Sequence, residues 1–354
     1  MATRRADGAG ARRSRWRAVA LVAVAAIAAS EIGLRLLTDR DSKWNIRLGT
    51  ALAFDPVCHF RFKPDHRLGD GVYTNERGFL APPGMPFEKP RDRLRLLYVG
   101  DSVSVLPVPG FYSAQVESRL AARGIAVETL NAAVPGHSTD NARALFESEV
   151  SHFDADWLFV ALGWNDLGQY GPEGLPYKRM RVGYRLSPLE QLLTHVYSLR
   201  FAYAARDYLR HWESSVDRPL SAADEALYRS YYPQHYADNL RAILSLGKQR
   251  YPHVVVMNLA TLTNADPTPS ELARAHYPTG MDRNMRKLDL LVSRYNEVVA
   301  AVAAEEQVPL VDLHALFDDR AAREAFTDSC HLDRTGAARI AAVLADRVAR
   351  EATP

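Results

Sequence analysis

Short apolar runs alternate with segments of helical periodicity from about residue 95 to the end of the chain. The runs are rich in strand formers and predict five buried strands, at residues 96–99, 126–130, 157–162, 254–258 and 308–312. The periodic segments predict helices at 111–123, from 138 or 139 to 150, at 282–305 and at 335–350. Alternating strands and helices indicate an α/β protein, with a central, mostly parallel five-stranded sheet between two layers of helices.

The first 40 residues follow a different pattern, in which a basic segment precedes an apolar one. Six arginines lie within residues 1–17, and residues 18–30 carry no charge. We predict a basic cytoplasmic segment at 1–15 and a signal-anchor or transmembrane helix at 16–38. The alternative is a secretory signal peptide cleaved near Ala26-Ile27-Ala28, with release of the protein. Under both interpretations the remainder of the chain is exported, and we favour the membrane anchor.

The pattern of residues 39–90 indicates that they form a lead-in segment rather than a separate domain. Six prolines divide it into short pieces, which must run over a surface and pack against a neighbour. Residues that favour turns, including Thr74-Asn75 and Gly78, are followed by Phe79, an aromatic residue suited to anchoring the segment. We therefore predict that 39–90 packs on a domain that spans 91–351.

A second segment, at about 171–235, interrupts the alternation of strands and helices. It is rich in tyrosine and has helical patterns at 187–212 and 222–231, but no clear strand. Its aromatic rings could pack the insertion on the core, as aromatic residues usually do. Because the insertion follows the third strand directly, it could instead form a cap that contacts substrate, and the sequence leaves both interpretations open.

Composition narrows the class of protein. The chain has 354 residues, 47% hydrophobic and 24% charged, which is ordinary for a globular protein with a sizeable core. A net charge of +2 gives no general signal for nucleic-acid binding. Two cysteines, Cys58 and Cys330, are too few for a disulfide scaffold or a structural zinc site. In an exported protein they could form one bridge, or each could be buried separately.

Candidate chemistry lies at the ends of the predicted strands. Ser102 follows the first strand, at the sheet edge where open α/β proteins bind ligands. Asp328 and His331, three residues apart, could supply a base and the group that orients it. Gly136 and Asn165 follow the second and third strands and could donate N–H groups to an oxyanion. Each residue alone also fits a turn or a surface loop, but four such features on one sheet edge indicate an active site.

These residues resemble the four sequence blocks of the SGNH (GDSL-type) hydrolases, in the same order along the chain. The blocks are Gly100-Asp-Ser102, Gly136 after Asn131, Gly163-Trp-Asn165-Asp166 and Asp328-x-x-His331. The resemblance covers about 91–350 and implies a flavodoxin-like sheet order. It also implies a catalytic triad of Ser102, Asp328 and His331, and an oxyanion hole formed by Ser102, Gly136 and Asn165. One departure is Val103-Ser104, where members often have a threonine, and the lead-in is similar to that of membrane-anchored bacterial members.

The resemblance implies an exported serine esterase or acyl hydrolase that works through an acyl-enzyme, without a cofactor or metal. The Gly-x-Ser-x-Gly elbow of α/β-hydrolases is absent around Ser102, which disfavours that fold. We expect an ester-bearing small molecule or a glycan as substrate, with O-acyl groups on glycans of the cell envelope as the first candidate. The alternatives are an acyltransferase acting on envelope polysaccharide and an inactive glycan-binding module. We expect the membrane, through the N-terminal helix, to be a partner and nucleic acid not to be one.

Overall fold

The computed structural model describes residues 6–37, 51–69, 71–168, 219–278 and 281–352. Helix α1 (Ala6–Leu37) belongs to one compact unit, and the described residues after 50 belong to another. Within α1, the stretch Trp16–Gly33 is long and apolar enough to cross a membrane, and its large apolar side chains are exposed. The predicted helix at 16–38 is thus present and begins about ten residues earlier, within the arginine-rich segment.

The second unit is built on a parallel five-stranded sheet, as predicted. Its strand order is β6-β5-β7-β8-β9, and the strands are β5 (Leu94–Gly100), β6 (Val127–Asn131), β7 (Trp157–Ala161), β8 (His253–Met257) and β9 (Leu310–Val311). Leu97 pairs with Leu130 on one side and with Leu158 on the other, and all three are buried. Such strands need apolar residues on both faces because helices cover both, which explains their continuous hydrophobic runs.

The last strand is shorter than the predicted 308–312. Only Leu310 and Val311 pair with β8, opposite Val256 and Met257. The strand lies at the edge of the sheet, and at Asp312 the chain turns into a short helix, where the Asp312 side chain accepts a hydrogen bond from the Ala315 N–H. The strand thus begins after Pro309, which has no N–H to donate to a ladder, and local capping at Asp312 ends it.

Helices are present at the positions that the periodicity predicts, with four additions, one long and three short. The described helices of this unit are α2 (Tyr112–Ala121), α3 (Thr139–Ser148), α4 (Ala222–Ser230), α5 (Gln234–Arg250), α6 (Pro269–Arg274), α7 (Met285–Glu305), α8 (Leu313–Leu316), α9 (Arg320–Arg323) and α10 (Arg334–Ala352). Residues of α2 and α10 join Tyr98 of β5 in one buried apolar cluster. Helix α5 was not predicted, although Tyr236, Leu240, Ile243 and Leu244 give it a buried face at helical spacing.

The tyrosine-rich insertion lies mostly outside the described residues, including the predicted helix at 187–212. The predicted helix at 222–231 is present as α4. Its Tyr228 is fully buried, and the Lys287 ammonium lies 5.0 Å from the centre of the Tyr228 ring. In this described part of the insertion, the tyrosine packs on the core.

The lead-in contains short strands that the sequence pattern did not predict. Strands β1 (Leu52–Asp55) and β2 (His59–Phe62) form one antiparallel hairpin, and β3 (Arg67–Gly69) and β4 (Val72–Tyr73) form a second. Phe79 is buried as expected, with the Arg61 guanidinium 4.7 Å from the centre of its ring. Farther on, the buried Arg95 side chain donates to the carbonyls of Pro86 and Phe87. These contacts place the lead-in against the sheet.

Candidate active site

Strand β5 ends in a tight turn that presents Ser102. A side chain on Gly100 would collide with Ser104, its Cβ only 2.8 Å from the Ser104 Cβ, so this position requires glycine. The Asp101 carboxylate accepts the Val103 N–H at 3.0 Å and caps the 3₁₀ turn Ser102–Ser104. Ser102 is therefore the second residue after the strand, at the carboxyl edge of the sheet.

The loop before α10 brings a histidine to this serine. The Asp328 carboxylate accepts the N–H groups of Cys330 and His331 with Oδ1, at 2.9 and 2.8 Å. Its Oδ2 lies 2.6 Å from His331 Nδ1, and His331 Nε2 lies 2.8 Å from Ser102 Oγ. A carboxylate only accepts hydrogen bonds, so Nδ1 carries the proton and Nε2 is free to accept the hydroxyl of Ser102.

The electrostatics of the loop favour this arrangement. Burial opposes charge on Asp328, but hydrogen bonds from the His331 side chain and the loop N–H groups outweigh it and lower the pKa of the carboxyl. Burial also opposes protonation of His331, yet the hydrogen bond and charge of Asp328 raise the net pKa of the imidazole above its ordinary value. The pair therefore holds an ionised acceptor beside an imidazole that is more basic than usual.

Two loops that follow the strands on either side of β5 carry candidate N–H donors. Gly136 follows β6 with φ +87°, a backbone conformation that favours glycine, and Asn165 follows β7. Within the described ranges, the backbone N–H groups of Ser102 and Gly136 have no hydrogen-bond acceptor. The Asn165 side chain donates one N–H to the His137 carbonyl at 2.9 Å, which leaves its second N–H for another acceptor. The arrangement can hold a negatively charged oxygen beside an activated serine hydroxyl.

A family model for GDSL-like lipase/acylhydrolases matches residues 98–339, about two thirds of the chain. The chain belongs to the GDSL-like lipase/acylhydrolase family. As a member, it is a hydrolase that acts on ester bonds. The family match includes all the residues just described, from β5 to the first turns of α10.

Similar solved structures include esterases of low sequence identity. An acetyl xylan esterase, AlAXEase, is 12% identical with a TM-score of 0.45, covering 72% of this chain and 100% of its own. The acetylxylan esterase Axe2 from Geobacillus stearothermophilus is 16% identical with a TM-score of 0.42, covering 72% and 94%. A lipase/acylhydrolase from Enterococcus faecalis is 16% identical with a TM-score of 0.41, covering 72% and 95%. No curated protein sequence matches the chain.

Two buried acids support the site in this GDSL-like hydrolase. Asp166 accepts the backbone N–H of Thr139 at 3.0 Å and its hydroxyl at 2.6 Å, which fixes the turn containing Asn165 to the start of α3. Burial raises the pKa of Asp166 to about 7, although the hydrogen bonds from Thr139 oppose the shift. Burial likewise raises the pKa of Asp101 to about 6. The sequence placed both acids in the family blocks but indicated no role for them.

Cys58, in the lead-in, and Cys330, in the GDSL-like domain, are free and buried, so a Cys58–Cys330 bridge is not present. Cys58 Sγ donates to the Phe60 carbonyl at 3.4 Å, while Cys330 lies in the loop beside His331. Burial raises the pKa of both thiols and keeps them protonated. Ligand atoms of Asp328, Cys330 and His331 lie within 4.8 Å of one another, but the carboxylate and imidazole are already hydrogen-bonded together. We therefore interpret these three residues as the loop that holds His331 rather than as a set of metal ligands.

Proposed function

We propose that the protein is a serine esterase in which Ser102 attacks the ester carbonyl. The observation that carries the proposal is the unbroken hydrogen-bond relay from Asp328 through His331 to Ser102, at 2.6 and 2.8 Å. A serine hydroxyl is a weak nucleophile until a base within this distance can accept its proton. The Asp328 carboxylate is in turn held by two backbone N–H groups of its own loop.

The reaction proceeds in two halves through an acyl-enzyme. His331 Nε2 takes the proton as Ser102 Oγ bonds to the carbonyl carbon, and the ionised Asp328 stabilises the imidazolium. The N–H groups of Ser102, Gly136 and the Asn165 side chain stabilise the oxyanion of the tetrahedral intermediate. His331 then protonates the departing alcohol, which leaves Ser102 acylated. Water, activated by His331, attacks the acyl group and releases the acid.

We further propose that the enzyme is anchored in a membrane by α1, with its catalytic unit outside the cytoplasm. Support comes from the exposed apolar stretch Trp16–Gly33 and from the arginines that precede it. The catalytic unit of an esterase that is anchored in this way lies next to the components of the cell envelope. This supports O-acyl groups on envelope glycans as the substrate class.

The test uses the full-length chain in detergent with p-nitrophenyl acetate, butyrate and octanoate. We expect turnover that falls with acyl chain length and that Ser102→Ala abolishes. Turnover that survives Ser102→Ala would refute the proposed nucleophile. Incubation with an acetylated glycan, followed by analysis of the released acetate, tests the substrate class. If the acetyl group moves to a second sugar rather than to water, the enzyme is an acyltransferase and the hydrolytic half of the proposal is wrong.

A further inference from the structure

The β1–β2 hairpin of the lead-in contacts the loop that carries the Gly136 donor. The Phe60 carbonyl accepts a hydrogen bond from His137 Nε2 at 2.6 Å, and the two rings meet edge to face with centroids 5.0 Å apart. A Cβ on Gly136 would lie 3.4 Å from the Phe60 ring, in ordinary contact. The hairpin thus touches Gly136 and His137, which are consecutive residues of the same loop.

The contact with the Phe60 carbonyl determines the tautomer of His137. A carbonyl only accepts hydrogen bonds, so Nε2 carries the proton and Nδ1 is bare. The side chain is fully buried, and within the described residues Nδ1 has no partner. Burial lowers the pKa of His137 to about 4, although its bond to Phe60 opposes the shift. At neutral pH, His137 is a neutral donor bonded to the hairpin.

The backbone of His137 connects this contact to the second donor loop. Its carbonyl accepts the Asn165 side-chain N–H at 2.9 Å. Because the two N–H groups of an amide lie in one plane, fixing one of them directs the other. The position of His137 therefore sets both the Gly136 N–H, one residue earlier, and the orientation of the free N–H of Asn165.

A second contact holds the other end of the loop. The Asn141 side chain donates to the Cys58 carbonyl at 2.9 Å, in the turn between β1 and β2. Its oxygen meanwhile accepts the Ser138 N–H at 3.1 Å and forms the capping box that starts α3. Residues 136–138 are therefore tied to the hairpin at both ends, through His137 and through Asn141.

We propose that the β1–β2 hairpin positions the oxyanion donors, with Phe60 and His137 as positioning residues for the reaction. The inference rests on the proposed function, because it takes Gly136 and Asn165 as donors. It makes the lead-in part of the catalytic apparatus rather than a connection between α1 and the sheet. Donors that have shifted should lose affinity for the tetrahedral intermediate, which forms during the reaction, more than for the substrate.

The decisive variants, in the full-length chain, are His137→Phe and His137→Gln. Phenylalanine keeps the ring contact with Phe60 but removes the donor, while the glutamine amide can place an N–H near the position of Nε2. We expect His137→Phe to lower kcat by about 10- to 100-fold with little change in KM, a loss typical of misplaced donors. We expect His137→Gln to recover most of that loss. Affinity for an alkylboronic acid, which forms a tetrahedral adduct on serine, should fall in parallel with kcat.

Two further variants separate positioning from general loss of stability. Asn141→Asp keeps the capping oxygen but removes the donor to Cys58, and we expect a smaller fall in kcat that leaves KM unchanged. Thr74→Val is the matched control, because the Thr74 hydroxyl bonds within the lead-in, to the Lys63 carbonyl and the His66 N–H, rather than to the oxyanion loop. It should lower the melting temperature without lowering kcat.

The outcomes distinguish this inference from the proposed function. A His137→Phe enzyme with wild-type kcat and boronate affinity would overturn the positioning role, as would equal losses of kcat in His137→Phe and Thr74→Val. If His137→Phe does not fold, Asn141→Asp decides by the same two measurements. Survival of turnover in Ser102→Ala would instead refute the proposed function, whatever the His137 variants do.

Discussion

The substitution Asp328→Asn tests the relay from Asp328 through His331 to Ser102, because the two Asp328 oxygens have separate partners and the effect of the change can be predicted. The Asp328 Oδ1 atom holds the loop by accepting two backbone N–H groups, while Oδ2 accepts from the His331 ring. Asparagine can keep the first oxygen in place and replace the second with an NH₂ group. The loop should therefore keep its fold while the contact with the imidazole changes from acceptor to donor.

This change reverses the protonation of the ring. An NH₂ group that faces Nδ1 requires Nδ1 to be unprotonated, so the ring proton moves to Nε2. A protonated Nε2 faces Ser102 and cannot accept the proton of its hydroxyl. The variant also loses the negative charge that stabilises the imidazolium. We expect kcat to fall by about 10⁴-fold, or about 5 kcal/mol in activation free energy, the scale known for this change in serine hydrolases. Residual turnover should exceed that of Ser102→Ala, because a base without its orienter keeps some function.

The pH profile gives a second and independent prediction. Burial lowers and Asp328 raises the pKa of His331, and the net effect in the native enzyme is a rise. Activity needs the neutral imidazole, so kcat/KM of the native enzyme should fall as pH drops through a value above that of an ordinary histidine. In Asp328→Asn the raising influence is gone and burial remains. The acid limb of the profile should therefore move to lower pH.

The assay is a pH-stat titration of acetate released from an acetyl ester, which gives kcat/KM across the pH range without a chromophore that titrates itself. Asp333→Asn is the matched control, because Asp333 caps the Gly336 N–H nearby and loses the same charge. A urea titration should show that Asp328→Asn costs less than about 1 kcal/mol of folding free energy, since the two loop bonds remain. A variant within tenfold of native kcat, or with an unmoved acid limb, would refute this reasoning.

Two other predictions test the donors and the anchor. Asn165→Ala should lower kcat by about 10²–10³-fold and, because the His137 carbonyl loses its donor, reduce the free energy of unfolding by about 1–3 kcal/mol; steady-state kinetics and chemical denaturation measure the two effects, and near-normal kcat would remove Asn165 from the site. The full-length chain should remain in carbonate-washed membranes and be cleaved by protease added from the outer side. Release as a shortened soluble form would mean cleavage near Ala28, and protection from protease would contradict the proposed topology.

The sheet and the residues at its edge could be predicted because each depends on local sequence. A strand buried on both faces must be apolar throughout, so β5, β7 and β8 are visible as runs, and a residue that follows such a run lies at the edge. Ser102, Gly136 and Asn165 were found in this way. Asp328 and His331 needed the family pattern, because an acid three residues before a histidine is common in surface loops.

What the sequence did not reveal depends on contacts between distant segments. The four-residue strands β1 and β2 are too short to show a period, and they are fixed by partners such as Asn141 and Glu149, the latter paired with Arg61 at 2.6 Å. His137 is indistinguishable in sequence from a histidine on a surface turn. Helix α5 is a different case: its apolar spacing was present, but it begins within the tyrosine-rich segment, whose rings obscured the pattern.

The relay joins residues made at very different times. Ser102 and His331 are separated by 229 positions in the chain, and the hairpin and both donor loops are complete well before the histidine is synthesised. At ordinary rates of translation the nucleophile precedes its base by about 10–45 seconds. All five strands of the parallel sheet end by residue 311, so the base is the part of the relay that is synthesised last. A reaction that depends on His331 therefore cannot begin until the chain has been synthesised past that residue.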